Sequence, residues 1–190
     1  MRVVNVKDKA QCEACLARLC VEVFGREAGI VPLASFAGTL GILMRQEAAQ
    51  VLALTDRDSR PVALALLVLD AEGRSMELAM LQGLPSDSVI QPGEALVSEL
   101  AHKAPLRVNA GDADQQAMFT RCGIERWFDE PRGLRVGLGP RHPASGLDDL
   151  PQSLGFDQDA IIQSFKQDRE VFEGYKRRFV TGLENFPERL

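Results

Sequence analysis

The chain has 190 residues, 45% of them hydrophobic and 26% charged, with a formal net charge of −5. That length suffices for one domain with a proper core plus an appendage, and the acidic surplus argues against a protein that holds nucleic acid by bulk electrostatics. Charges fall within the opening MRVVNVKDKA, and the longest apolar run, Val62 to Leu69, is far short of the roughly 20 residues of a membrane span, so a cytoplasmic chain without secretory signal or span is expected.

Val3 to Val6 are predicted to form a short strand, broken by Lys7, Asp8 and Lys9. A helix from about residue 10 to 26 follows, because Cys12, Cys15, Leu16, Leu19, Cys20, Val23 and Phe24 recur at helical spacing along one stripe. Cys12 and Cys15 make a C-x-x-C, but no second ligand pair is near and no helix N-terminus activates a thiol. These cysteines read as small core residues. Gly29 and Pro32 punctuate the chain, and a second helix is predicted from Ser35, as its N-cap, to about Ala49. Strands are predicted at 50–55, 62–70 and 75–82, joined by polar turns. The middle one is apolar throughout, which implies burial on both faces. A loop at 83–92 leads into a helix at 93–103, a strand at 106–109, a helix, and strands at 124–128 and 134–138.

Three meandering strands followed by two helix-strand crossovers imply a mixed sheet flanked by helices, an α/β (α+β layered) class. Within that frame Asp112 to Ile124, DADQQAMFTRCGI, resembles the closing segment of the GNAT (N-acetyltransferase) superfamily, whose pattern is roughly N-x-x-A-x-x-x-Y-x-x-x-G-F. Aligned on Gly123, the Tyr position is Phe119, the Asn position Asp112, the Ala position Gln115 and the last aromatic Ile124. The resemblance covers about residues 1–139. It implies a GNAT fold, an acetyl-CoA or other acyl-CoA donor, and acyl transfer to the amine of a small molecule or peptide. In that family a [R/Q]-x-x-G-x-[G/A] turn cradles the donor's pyrophosphate on backbone N–H groups at a helix start. Matching GEALV to the family's G-x-A-L-L puts Ser88 to Gly93 on that turn. Gly93 keeps the final glycine, whereas Ser88, Gln91 and Pro92 depart from the motif and Pro92 removes an N–H. The donor contacts implied are Gly93, Glu94 and Ala95, with Asp112 and Phe119 from the closing segment. Glu94 adds a charge that repels phosphate.

Acyl transfer to an amine needs a base for the amine proton and an acid for the leaving thiolate. The family's Tyr is commonly that acid, but Phe119 has no hydroxyl and the one tyrosine, Tyr175, lies outside the family core. Water or another group must then protonate the thiolate. Glu77 stands where the family often places its base; its other reading is a strand carboxylate paired with Arg74 or Lys103. His102, beside Lys103, suits a helix C-terminus better than catalysis. No Ser-His-Asp order, H-E-x-x-H, Walker loop or G-x-G-x-x-G is present.

Residues 140–156, rich in Pro, Gly, Asp and Ser, read as a linker. Residues 157–190 read as one long amphipathic helix capped by Asp157 or Asp159, with Ile161, Phe165, Phe172, Tyr175, Phe179, Leu183 and Phe186 along a stripe interrupted at Asp168. Such a stripe must bury against something: the chain's own core, a second copy in a homodimer, or a ligand groove as a lid. It also supports an alternative function, a catalytically inactive GNAT-fold binding or regulatory module acting through this helix.

Overall fold

The computed structural model describes residues 1–190. Asp8 accepts a hydrogen bond from the Gln11 N–H at 2.9 Å, and so caps α1 (Lys9–Phe24), which follows β1 (Arg2–Asn5). The second helix departs from expectation. α2 spans Val31–Gly38 and continues as a π-helical turn, Thr39–Leu43, ahead of β2 (Ala49–Thr55). Pro32 lies in its first turn, where a missing N–H costs nothing, so Ser35 is buried inside the helix instead of capping it. β3 (Pro61–Leu69) and β4 (Met76–Gly83) complete an antiparallel meander. Then come α3 (Pro92–Lys103), β5 (Leu106–Ala110), α4 (Ala113–Arg121), β6 (Arg126–Asp129), β7 (Arg135–Leu138), a 3-10 turn at Leu147–Asp149, α5 (Gln158–Gln167) and α6 (Arg169–Glu184).

All seven strands form one sheet, in the order β1-β2-β3-β4-β5-β7-β6. Only β4 and β5 run parallel. This is the mixed α/β architecture, a sheet flanked by helices, expected from the order of elements. One face, including Leu54, Ala65, Leu67, Leu106 and Val108, packs in one core with α3 and α4; the other, including Val51, Ala53, Leu64, Leu66 and Val68, packs with α1 and α2. β3 is therefore buried on both sides, as its unbroken apolar run requires. Cys15 and Cys20 are core residues whose burial pushes their thiols up to about 12, and half-buried Cys12 is pushed up to about 11, chiefly by burial.

The C-terminal segment forms two helices where one was expected. Asp168 leaves the helical region at φ −132°, and its carboxylate accepts from the N–H groups of Glu170 (3.0 Å) and Val171 (3.2 Å), ending α5 and capping α6. Both helices lie on α1 and α2. Phe179 meets Phe36 edge-to-face with centroids 5.2 Å apart, Phe165 is buried, and Arg178 pairs with Glu13 at 2.6 Å. The Phe156 ring occupies the space where any Cβ on Gly38 would project. The chain's own helices thus cover the aromatic stripe. No helix is long and apolar enough to cross a membrane.

Close approach of α6 to α1 depends on Gly182, where a Cβ would lie 3.1 Å from the Glu13 carbonyl oxygen and 3.2 Å from Ala14 Cα, whereas a Cβ at Gly174 would meet open space. Gly174→Ala should raise stability by about 0.5–1 kcal/mol through helix propensity. Gly182→Leu should lower it by about 1–3 kcal/mol through overpacking. Urea denaturation measures both, and equal responses would contradict the docking of α6 on α1.

Candidate active site

β4 and β5 pair at only two positions, Met76 with Leu106 and Glu77 with Arg107. Beyond them β4 continues on β3 and β5 continues on β7, and nothing joins the two strands. The cause is visible in the register: Leu66 faces Met80 and Leu67 faces Leu78, so Ala79 is an extra residue. Such a bulge bends its strand, here just past the last bond to β5. A wedge opens inside the sheet, and Ala79, in the middle of a central strand, is exposed.

Both strands run their C-terminal ends toward the wide end of the wedge, where α3 and α4 begin. In sheets with parallel strands that is where ligands gather. The two helix starts differ. α4 is closed by its own side chains, with Asp112 accepting from the Gln115 N–H (2.8 Å) and the Gln115 amide oxygen accepting from the Gly111 N–H (2.9 Å). α3 has no side-chain cap; Gln91 before it is left-handed at φ 49°, and the Ala95 N–H bonds to the Gln91 carbonyl at 3.1 Å. The N–H groups of Gly93 and Glu94 have no protein partner, which leaves them for an acceptor from outside. The Glu94 carboxylate is paired with Arg121 at 2.7 Å, so its repulsion is largely neutralised. Gly83 and Gly93 seat α3 against the end of β4: a Cβ on Gly83 would lie 3.2 Å from the Gly93 nitrogen.

Over the narrow end of the wedge lies a groove of about 550 Å³. Glu77 lies on its floor, 19% exposed, and accepts a short hydrogen bond from the Ser153 hydroxyl. Arg107, 12% exposed, reaches Glu77 at 3.5 Å and Glu130 at 3.1 Å, and its Nε also faces the Asn109 amide oxygen at 3.4 Å. Partners on both sides are what a guanidinium this buried requires.

Ser153 belongs to the stretch expected as a linker. Residues 139–154 instead fold back as a strap over the groove. The Ala71 N–H bonds to the Gln152 carbonyl (2.7 Å), the Leu154 N–H bonds to the Leu69 carbonyl (2.9 Å), and Ser153 bridges Asp70. Arg126 holds the strap's base by donating to the carbonyls of Ala144, Gly139 and His142 at 2.7–2.8 Å. His142 is 4% exposed; its Nδ1 accepts from the Ala144 N–H at 3.1 Å and its Nε2 has no partner. Burial, then the nearby Arg126 and Arg107 charges, hold its imidazole below its ordinary range, while Asp70 and Asp149 oppose this. Asp70, despite its burial, is held below the usual carboxylate range by the Ser75 hydroxyl and by the Arg74 and Glu72 N–H groups.

The residues expected at the site fall into two groups. Glu77 lies in the groove, with Arg107 and Ser153 as partners instead of Arg74 or Lys103. Gly93 and Glu94 offer N–H groups at the wide end, while Ala95 has its own bonded within the helix. Asp112 caps α4, and Phe119, 7% exposed, belongs to the core shared with α3. His102 is exposed in the last turn of α3 and does not line the groove. Sequence reasoning missed Arg107, Asn109, Glu130, Ser153 and His142. The alternation in Leu106-Arg107-Val108-Asn109, polar residues on one face of a strand between helix layers, is the signal that could have found the first two.

No family model matches the chain, and no curated protein matches it by sequence. Among solved structures it is similar to a protein described as a GNAT-family acetyltransferase from Desulfovibrio desulfuricans, with 18% identity over 72% of this chain and 94% of that one, at a TM-score of 0.47. It is also similar to spermidine N-acetyltransferase from Vibrio cholerae in complex with CoA and spermine, with 13% identity over 75% and 98% of the two chains and a TM-score of 0.42. A third is an acyl-CoA N-acyltransferase from Pseudomonas aeruginosa, with 14% identity over 72% and 96% and a TM-score of 0.36. These are similarities of fold at low identity, and function is read from this chain's own residues.

His142 makes the strap sensitive to acid. Its folded-state pKa lies below the unfolded value of about 6.5, so the unfolded chain binds more protons as pH falls, and stability present above that value is lost below it. Melting temperature should fall between about pH 7.5 and 5.5, and His142→Gln should flatten that slope. Identical slopes would contradict a buried neutral imidazole.

Proposed function

We propose that the chain is an N-acyltransferase that moves an acyl group from acyl-CoA, acetyl-CoA being the simplest donor, to an amine. The wedge between β4 and β5 carries this reading. A parallel pair opened after two residues leaves peptide N–H and C=O groups along both inner edges without strand partners. An extended chain bearing amides can take the place of the missing strand, and the pantetheine arm of CoA is such a chain. The free Gly93 and Glu94 N–H groups at the uncapped start of α3 suit the phosphates that follow it. Arg121, paired with Glu94, keeps that carboxylate from repelling them. The residues present therefore fit the donor. They do so by backbone amides with little help from side chains, and neither Asp112 nor Phe119 is needed.

The thioester then lies near Glu77. The acceptor enters as an ammonium, and Glu77 takes one proton while Arg107 and Ser153 hold its carboxylate in place. The amine nitrogen attacks the thioester carbonyl; the C–N bond forms, the C–S bond breaks, and the nitrogen passes its second proton to water. Phe119 has no hydroxyl and is buried, so the departing thiolate takes its proton from water. The alternative of a binding module acting through the aromatic C-terminal helix has less support, because α1 and α2 already cover that stripe.

Acetyl-CoA at a hundred times its dissociation constant should add about 2.7 kcal/mol to stability and raise the melting temperature. Arg121→Ala should weaken that binding. Glu77→Gln should lower kcat by about 10²–10⁴ with donor affinity intact. An unmoved melting temperature with acetyl-CoA and with longer acyl-CoAs would refute the reading, and an undiminished kcat would refute the role of Glu77.

A further inference from the structure

The same groove narrows the choice of acceptor. Resting on the reading of the site as an acyltransferase, we infer that the acceptor is a monoamine, a single ammonium on a compact apolar body, and that Glu130 is the residue that sets this preference through Arg107. Two carboxylates, Glu77 and Glu130, and one guanidinium, Arg107, line the groove, and no lysine does. Their sum is one negative charge, which matches one ammonium.

Arg107 is already committed. It donates to Glu130 at 3.1 Å and forms an ion pair with Glu77 at 3.5 Å, so a substrate carboxylate would meet a cation already shared by two acids. Taking Arg107 from either partner would leave a poorly solvated carboxylate behind. An acceptor with a second or third ammonium lacks partners for them, because Glu77 and Glu130 are the only acids lining the groove and Arg107 already offsets one of the two charges. Opposite the charges the strap contributes Leu147, Leu150 and Leu154, with Leu134 beside them. That wall rewards an apolar body by area removed from water. A volume of about 550 Å³ sits within the usual range for small-molecule sites. The ammonium meets Glu77 at Oε1, since Arg107 and Ser153 both engage Oε2, and it gains a charge-assisted hydrogen bond there.

The test is calorimetric titration of the full chain, without acyl-CoA, using hexylamine, the matched acid hexanoate, and spermidine. Hexylamine should bind more tightly than the other two by at least about tenfold, and Glu130→Gln should erase that margin over hexanoate, since it removes the net charge and releases Arg107. Glu130→Asp, which keeps the charge, should restore most of it. Hexanoate or spermidine binding as tightly as hexylamine would overturn the proposal, and so would an unchanged margin in Glu130→Gln. Absence of hexylamine binding by a chain that melts normally would overturn it too. Because no donor is present, the outcome is separate from that of the acyltransferase reading: hexylamine binding without turnover on acetyl-CoA would refute the transferase and leave the amine preference standing.

Discussion

The structure depends on one interrupted pairing. A parallel strand pair inside a covered sheet ordinarily runs its full length, because unpaired peptide groups in an interior are costly. Here the extra residue Ala79 turns β4 away from β5 after Glu77 and Arg107 have met. The sheet tolerates the opening because β3 holds the other edge of β4 along its length and β7 holds β5. The cost of the unmade bonds is offset by solvent at the open edges.

The two ends of this opening have different chemistry for local reasons. At the wide end α3 starts behind a left-handed Gln91 and a proline, with no side chain to occupy its first N–H groups, while its neighbour α4 is closed by Asp112 and Gln115. At the narrow end the last bonded pair brings a carboxylate and a guanidinium side by side, and the strap closes over them. That strap is anchored through Arg126 to three carbonyls and through Ala71 and Leu154 to the end of β3. The C-terminal helices lie outside this machinery. They complete the packing around α1 and α2, and Gly38 and Gly182 let ring and helix come close.

What could be read in the sequence was what neighbours in the chain decide. Apolar spacing placed the strands and most helices, and Asp157 signalled a real cap, because these effects act within a turn or a strand. Pro32 reads equally as a break and as a helix start, and only the packing of α2 decides for the second. Asp168 reads as a gap in an apolar stripe, yet its carboxylate ends one helix and caps the next. The wider failures are long-range. The Pro, Gly and Ser of 140–156 suggest a solvated tether, yet Ser153 bonds to Glu77 from 76 positions away. Glu94 reads as a charge that repels phosphate until Arg121, 27 positions on, is seen beside it. The resemblance implies a donor contact at Phe119, and its ring is buried in the core shared with α3, a placement set by long-range packing. Glu77 is singled out only by the strand position that the resemblance implies, and no local pattern joins it to its partners Arg107 and Ser153.

An opening between β4 and β5 that receives the extended arm of the donor can be tested by amide hydrogen exchange, followed residue by residue with and without CoA. CoA should slow exchange at wedge-facing amides within Leu78–Gln82 and Val108–Ala110, and at Gly93 and Glu94, where no protein acceptor is present. If CoA bound while those amides exchanged at the rate of the free chain, the donor would lie elsewhere.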